Sequence, residues 1–459
     1  MDTRDPGGLP RVAEAKSRQA HRSSGSHRSS AQFDYAKLVT ATPNLTFGDH
    51  RSMRKVIMLV IVCSLLPAVG LGQAASGEEK KDDTSLRAYW KDGLRLETAD
   101  KAFQVQIGGR IHNDWAFMEG DDAISARVGD MEDGTEFRRA RLSLGGLMYE
   151  KVEFKIQLDF ATGEAAFRDV YLGLQQLPGV GNIRLGQYKE PFGLEELSSA
   201  NYITFVERSL ANAFVPSRHT GFMLHNRELK ERVSWAVGVF KDTNEFGAAV
   251  GDEDYAVTGR FTALPWFENE GTRLLHLGFA FSRRNLDSTV QFAERPETHL
   301  APRFVDTGEF PAEALNLIGT EAAVIYGPAS VQGEYIIADT YQGPGLPEPS
   351  FKGFYLQGSF FLTGESRGYR QSEAAFYRVH PRKSFLSKAG GAGAWEVALR
   401  FSKIDLTNEG IAGGELRDWT AGLNWYLNPN SRIMWNYVRA DLQNTGTANV
   451  FQMRFQVDF

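Results

Sequence analysis

The chain has 459 residues, enough for one large barrel or two to three ordinary domains. It carries 51 basic and 57 acidic residues, a net charge of −6, one cysteine and a mean hydropathy of −0.33. These numbers exclude a bundle of apolar transmembrane helices, a cysteine-stapled scaffold and a basic nucleic-acid binder.

Residues 1–52 are rich in Ser, Arg and His, lack a hydrophobic period and read as a disordered extension. Either a start codon placed too far upstream or a genuine cytoplasmic extension accounts for them, and the latter would hinder export. From Met53 the pattern changes to MRKVIMLVIVCSLLPAVGLGQAA. Arg54 and Lys55 precede an apolar run, Val56 to Leu66, that is short for a bilayer span, and small residues follow near Ala74. Residues 53–74 therefore read as a secretory signal peptide, cut after Ala74 or Ala75. Cys63 follows Val62 inside this run and reads as a hydrophobic filler rather than a lipidation site. Residues 1–74 hold 10 basic and 5 acidic residues, so 41 and 52 remain beyond them, a net of −11.

Residues 75–101 read as a charged linker and the start of a barrel, and 102–459 as the barrel itself. At 103–117, Phe103, Val105, Ile107, Ile111, Trp115 and Phe117 share one face, and Gln104, Gln106, Arg110, His112 and Asp114 the other. At 152–160, VEFKIQLDF alternates without exception. A period of two with one apolar and one charged face is what a strand needs between lipid and a watery lumen. Sixteen such segments run from 102–117 to 449–459, and the even number suits a bacterial single-chain barrel. Six tryptophans, Trp115, Trp266, Trp395, Trp419, Trp425 and Trp435, lie in or near strand ends, where they could form aromatic girdles or simply pack.

Three connections are long. Residues 190–219 mix helix formers with Phe192, Tyr202, Phe205 and Phe214, and are expected to fold inward and narrow the lumen. Residues 285–314 are expected to reach outward. Residues 364–393, polar, basic and Gly-rich, are expected to be flexible and external. The last segment, VFQMRFQVDF, alternates again and closes on Phe459. A terminal aromatic of this kind resembles the signal read by barrel-assembly machinery; the alternative is the edge strand of a soluble sandwich.

Four segments together resemble the phosphate-selective porin O/P family of Gram-negative outer membranes. They are YWKDGLRLETADKAFQVQIGGRIHND (89–114), FRRARLSLGG (137–146), GQYKEPFGLEELSSANYITFVERS (186–209) and GPASVQGEY (327–335). The resemblance implies a sixteen-stranded, trimeric outer-membrane channel whose third external loop enters the pore, with phosphate or polyphosphate as the solute class. The acidic net charge weakens any automatic transfer of phosphate selectivity, and a fold supports a substrate less firmly than it supports itself.

No Walker loop, GxSxG elbow or HExxH helix is present, and the adjacent Ser217, Arg218 and His219 do not make a triad. No enzyme activity, cofactor or metal is expected. A porin needs a charged lumen wall, and arginine suits anions because its fork matches phosphate. By strand parity Ala140, Leu142 and Leu144 face lipid, so Arg139 and Arg141 face the lumen. The same parity points Arg110, Lys155 and Arg184 inward, while Lys189, Arg208 and Arg218 belong to the inserted loop or its borders. Each contacts small anions or braces the wall against inward acids such as Glu153, Asp159, Asp169, Glu334 and Glu396. The leading expectation is a passive, anion-preferring pore; a non-selective pore and a closed structural or adhesive barrel stand beside it.

Overall fold

The computed structural model describes residues 85–388 and 390–459. The extension at 1–52 and the signal peptide at 53–74 lie outside the described residues. An N-terminal hairpin, β1 (Leu86–Trp90) and β2 (Leu94–Thr98), comes first. The next eight strands are β3 (Phe103–Gly120), β4 (Gly134–Met148), β5 (Val152–Asp159), β6 (Ala166–Leu177), β7 (Gly181–Lys189), β8 (Arg218–Glu228), β9 (Val233–Lys241) and β10 (Tyr255–Glu268). Eight more follow: β11 (Arg273–Asn285), β12 (Ala314–Tyr326), β13 (Ala329–Tyr341), β14 (Ser350–Phe361), β15 (Ala394–Asn408), β16 (Ile411–Asn428), β17 (Ser431–Leu442) and β18 (Gly446–Asp458).

From β3 to β18 every strand pairs antiparallel with its chain neighbour, and β18 returns to β3 with Ala448 opposite Gly120 and Asp458 opposite Arg110. The sixteen strands thus close into a barrel without free edges. The burial pattern is inverted relative to a soluble protein. On β18 Phe451 and Phe455 are 41% and 45% exposed, while Gln452, Arg454, Gln456 and Asp458 are buried. That is the alternation of a barrel with lipid outside.

Phe459 is tied in by its backbone: the Gly109 N–H donates to its carbonyl oxygen (2.7 Å) and its own N–H to the Gly109 carbonyl (3.0 Å). Gly109 is required here, because a Cβ would stand 2.7 Å from the Phe459 ring. Below that point β2 takes over as the partner of β3, with Leu94 opposite Ile107. The segment read as a charged linker therefore contains a hairpin that extends the wall where β18 stops.

Six connections at the end bearing the chain termini are short: 149–151, 178–180, 229–232, 269–272, 327–328 and 429–430. The opposite end bears 121–133, 190–217, 242–254 and 286–313. Short turns face the periplasm in outer-membrane barrels, so the long connections are external. Two expectations fail against this frame. The 362–393 connection lies on the periplasmic end and is held by buried contacts, so it is neither external nor loose. The 286–313 connection is external but turns inward, because its Phe292, Phe304 and Phe310 need a core, which they find with Phe214 and Phe351.

Of the register shifts between barrel strands, two re-aim basic side chains. On β4, Arg139 pairs with His112 but Phe137 with Asn113, leaving Arg138 as an extra residue. On β6, Val170 pairs with Ile156 and Phe167 with Leu158, so two residues oppose one. Each is a β-bulge, which re-aims a side chain that alternation would send outward.

Candidate lumen site

The 190–217 connection bridges from β7 to strands beyond the closure point. Its one-turn helix, Leu194–Leu197, follows Gly193, whose φ of 74° favours glycine. The Glu334 carboxylate on β13 receives the Leu194 and Glu195 amides (2.9 and 2.6 Å) and the Tyr355 hydroxyl (2.8 Å). Further along, the Val206 amide donates to Asn436 on β17 (2.7 Å), and Asn424 on β16 donates to the Thr204 carbonyl (2.8 Å). Arg432 and Gln456 donate to the Ile203 and Asn201 carbonyls (2.8 and 3.1 Å). Each partner side chain lies on the strand face opposite the lipid-exposed one. Phe192 closes on Gly319 and Phe205 on Gly422, where a Cβ would stand 2.9 and 3.1 Å from the rings.

The other two inward segments meet this one. Glu297, from the 286–313 connection, accepts from Arg400 Nε (3.0 Å) and Ser402 Oγ (2.5 Å), and its carbonyl from Gln452 (3.0 Å). From the periplasmic side, the Phe376 amide donates to Ser198 Oγ (3.2 Å), and Tyr377 meets Tyr202 edge-on at 4.7 Å. Arg378 anchors that segment to Asp92 of the N-terminal hairpin (3.0 Å) and to Asp458 of β18.

All eight basic residues singled out by parity and loop position lie on or beside one stretch of wall, β3 to β8, and six of them gather around three carboxylates and Ser199. Three carboxylates there each hold two cations. Asp159 accepts from Arg141 (2.7 Å) and Arg168 (3.2 Å). Asp169 accepts from Lys155 and Arg218 (both 2.7 Å). Glu196 pairs with Lys189 and Arg208 (both 3.1 Å). Arg110 donates to Ser199 Oγ (3.2 Å), meets no carboxylate at ion-pair distance among the described residues, and lies within electrostatic reach of Arg218 and Asp169. Burial would push the Glu196 carboxyl up; Arg208 and Lys189 more than reverse this and bring it down to about 2.

The remaining two lie apart from this set. Arg184 forms its own pair with Glu153 (3.4 Å) and stacks over Tyr171 (4.2 Å). Arg139, only 3% exposed, sits 3.8 Å from Glu207, which also accepts from Arg138 (2.9 Å) and Arg454 (2.8 Å). Glu207 is the hub that fixes the inserted loop to β4 and β18, and after the cost of burial Arg138, Arg139 and Arg454 hold its carboxyl well below the usual range.

Parity missed Arg138 and Arg168, both turned inward by the bulges. A signal was present: strict alternation would put each on the lipid face, where a charge near midplane costs about 2–4 kcal/mol. Among the described residues no cluster of three His, Cys, Asp or Glu suited to a metal occurs.

A closed sixteen-stranded barrel with an apolar outside and a charged, loop-crossed inside is an outer-membrane diffusion porin, a channel without a catalytic step. The chain belongs to the phosphate-selective porin O and P family, whose model matches residues 105–459. Porin O of Pseudomonas aeruginosa is 27% identical over 421 residues, covering 83% of this chain and 93% of that protein. A protein of Caulobacter vibrioides is 26% identical over 419 residues, covering 85% and 81%. Among solved structures, Vibrio cholerae OmpT, an outer-membrane protein in trimer form, superposes with a TM-score of 0.51 at 11% identity over 78% of this chain and 100% of that one. A loop L8 deletion mutant of OmpT gives 0.50 at 12% identity, with 78% and 100% covered. These two likenesses concern the fold alone. Membership in the family sets the closed structural barrel aside.

Proposed function

We propose that the channel prefers anions of the phosphate class. The supporting observation is the imbalance on the wall from β3 to β8: Asp159, Asp169 and Glu196 share Arg141, Arg168, Lys155, Arg218, Lys189 and Arg208, and Arg110 adds a seventh cation. A lumen lined by surplus positive charge raises the local anion concentration. The carboxylates fix the cations while partly neutralising them, so attraction recruits a solute and still lets it leave. The constriction, on this reading, lies beside that wall, where 190–217 crosses. The name Porin O belongs to a relative at 27% identity and supports the solute class only through the family.

The same proposal has the protein exported by the 53–74 leader, without need of residues 1–52, recognised by assembly machinery through Phe459, and assembled as a homotrimer. N-terminal sequencing and cross-linking of the membrane form test these points. A non-selective pore is the second reading, favoured by the pairing of seven of the eight singled-out cations, all except Arg110, with carboxylates. The reversal potential of purified protein in a salt gradient, with chloride and phosphate compared, separates the two: anion preference moves it toward the anion equilibrium potential, and a value near zero overturns the proposal.

A further inference from the structure

On the outer face of β15–β18 and β3, strand register sorts side chains into rows. Leu399, Ala421, Tyr437, Phe451 and Phe117 stand opposite one another and belong to the apolar band. The next row toward the external end is Phe401, Trp419, Arg439 and Asn449, and the one beyond it Lys403, Arg417, Asp441 and Thr447. These last two rows, Asn449 apart, line a depression of about 460 Å³. The external connections flanking it, 409–410 and 443–445, are too short to cover it.

The charges in this depression are poorly matched. Lys403 and Arg417 are direct cross-strand neighbours, a pairing of like charges that destabilises a sheet. They share a single carboxylate, Glu415, at 2.9 Å from Lys403 Nζ and 2.7 Å from Arg417 Nε. Arg439 reaches only the Asn449 amide oxygen (3.3 Å) and has no carboxylate at ion-pair distance among the described residues. Asp441 is engaged instead by Gln443 (2.8 Å). Directly below lies Trp419, 52% exposed and packed against Phe401 at 4.9 Å.

Cations at the upper edge of a lipid-facing apolar band meet the headgroup layer. We propose that this depression seats the phosphorylated headgroup of an outer-leaflet lipid, with acyl chains lying on the Leu399–Tyr437–Phe451 band. Arg439 and Arg417 supply forks for the phosphate, Lys403 adds a point charge, and the Trp419 ring occupies the boundary between chain and headgroup. The proposal depends on the barrel's orientation and not on the selectivity of its lumen.

The test uses the full chain extracted in mild detergent. Native mass spectrometry counts lipid retained after addition of phosphatidylglycerol, lipid A or neutral phosphatidylcholine. The wild type should retain the two phosphorylated anionic lipids over the neutral one. Arg439→Gln alone should weaken retention by about fivefold, the worth of one cation at an anionic surface, and adding Lys403→Gln and Arg417→Gln should remove the preference. Unchanged heat-modifiable mobility on gels keeps a folding defect apart. A triple variant that retains anionic lipid as the wild type does overturns the proposal, as does displacement of the lipid by an equal concentration of inorganic phosphate. A photo-crosslinking phenylalanine in place of Thr447 should capture lipid; capture of a second copy of the chain would make this face a subunit interface and overturn it too.

Discussion

Replacing Arg110 by Glu is the cleanest perturbation of the lumen, because Arg110 alone of the eight singled-out cations meets no carboxylate at ion-pair distance among the described residues. Removing Arg141 would leave Asp159 with one cation fewer, and removing Arg218 would do the same to Asp169. Arg110→Glu forfeits one hydrogen bond, to Ser199, and changes the local charge by two. For a monovalent anion passing at roughly 5 Å through water, each unit charge is worth about 0.8 kcal/mol. Screening at 0.1 M salt reduces the two-unit change to about 1 kcal/mol, or about fivefold in anion occupancy. Cation occupancy should rise by the same factor, so the anion-to-cation permeability ratio should fall by about 25-fold, and by more in dilute salt. Arg110→Gln should give about half the free-energy change, and it guards against a fold disturbed by new repulsion from nearby Asp458. The assay is the reversal potential across a planar bilayer. Wild-type potentials from both variants, with wild-type heat modifiability, would refute the assignment of anion preference to this wall.

Arg454→Gln should behave in the opposite way. It strands Asp114 in the interior, takes one of three cations from Glu207 and should cost about 3–5 kcal/mol, lowering the temperature at which the barrel unfolds on gels. Glu294, in the inward-turning external connection, is held up at about 7 by burial, with Glu207 and Glu297 adding to the effect. An acid whose folded pKa is raised stabilises the fold below its unfolded value near 4.5 and loses that contribution as pH climbs through 7. Amide exchange across 286–313, corrected for intrinsic rate, should therefore accelerate between pH 5 and 8, and Glu294→Gln should flatten that dependence. Deleting Phe459 removes both backbone bonds to Gly109, and the membrane level of the truncated chain should fall sharply in a fractionation assay.

The barrel was legible because its solvent arrangement is written at period two. Phe451, Phe455 and Phe459 against Gln452, Arg454 and Asp458 make sense only with lipid on one side and polar partners on the other. Alternation sets Arg139, Arg141 and Arg110 on the face opposite Ile111, Leu142 and Leu144, which are exposed in the structure. It failed at the bulges, since one extra residue reverses parity beyond it and nothing in FRRAR says which Arg is the extra one. It could not tell a cation facing solute from one bracing a loop, because that depends on partners remote in the chain. Arg208 ends on three carbonyls of its own loop, and Arg454 on an acid 340 positions away.

The connections were misjudged for a related reason. By composition, residues 285–314 are long and Pro-containing and residues 364–393 polar, basic and Gly-rich, and such segments usually lie at the surface. A large barrel offers them a second, internal surface that composition does not distinguish. What committed them inward were a few anchors, Glu297 onto Arg400, Phe292 onto Phe214 and Arg378 onto Asp458, each meaningful only once its partner strand was placed. The deciding quantity is the number of unmatched charges on the inner wall. Arg400, Arg432 and Arg454 are buried cations on β15, β17 and β18 that require partners from outside their own strands, and the 190–217 and 286–313 segments supply them. On the reading proposed above, the wall from β3 to β8 differs in that Asp159, Asp169 and Glu196 each hold two cations, which would leave positive charge for an anion to meet.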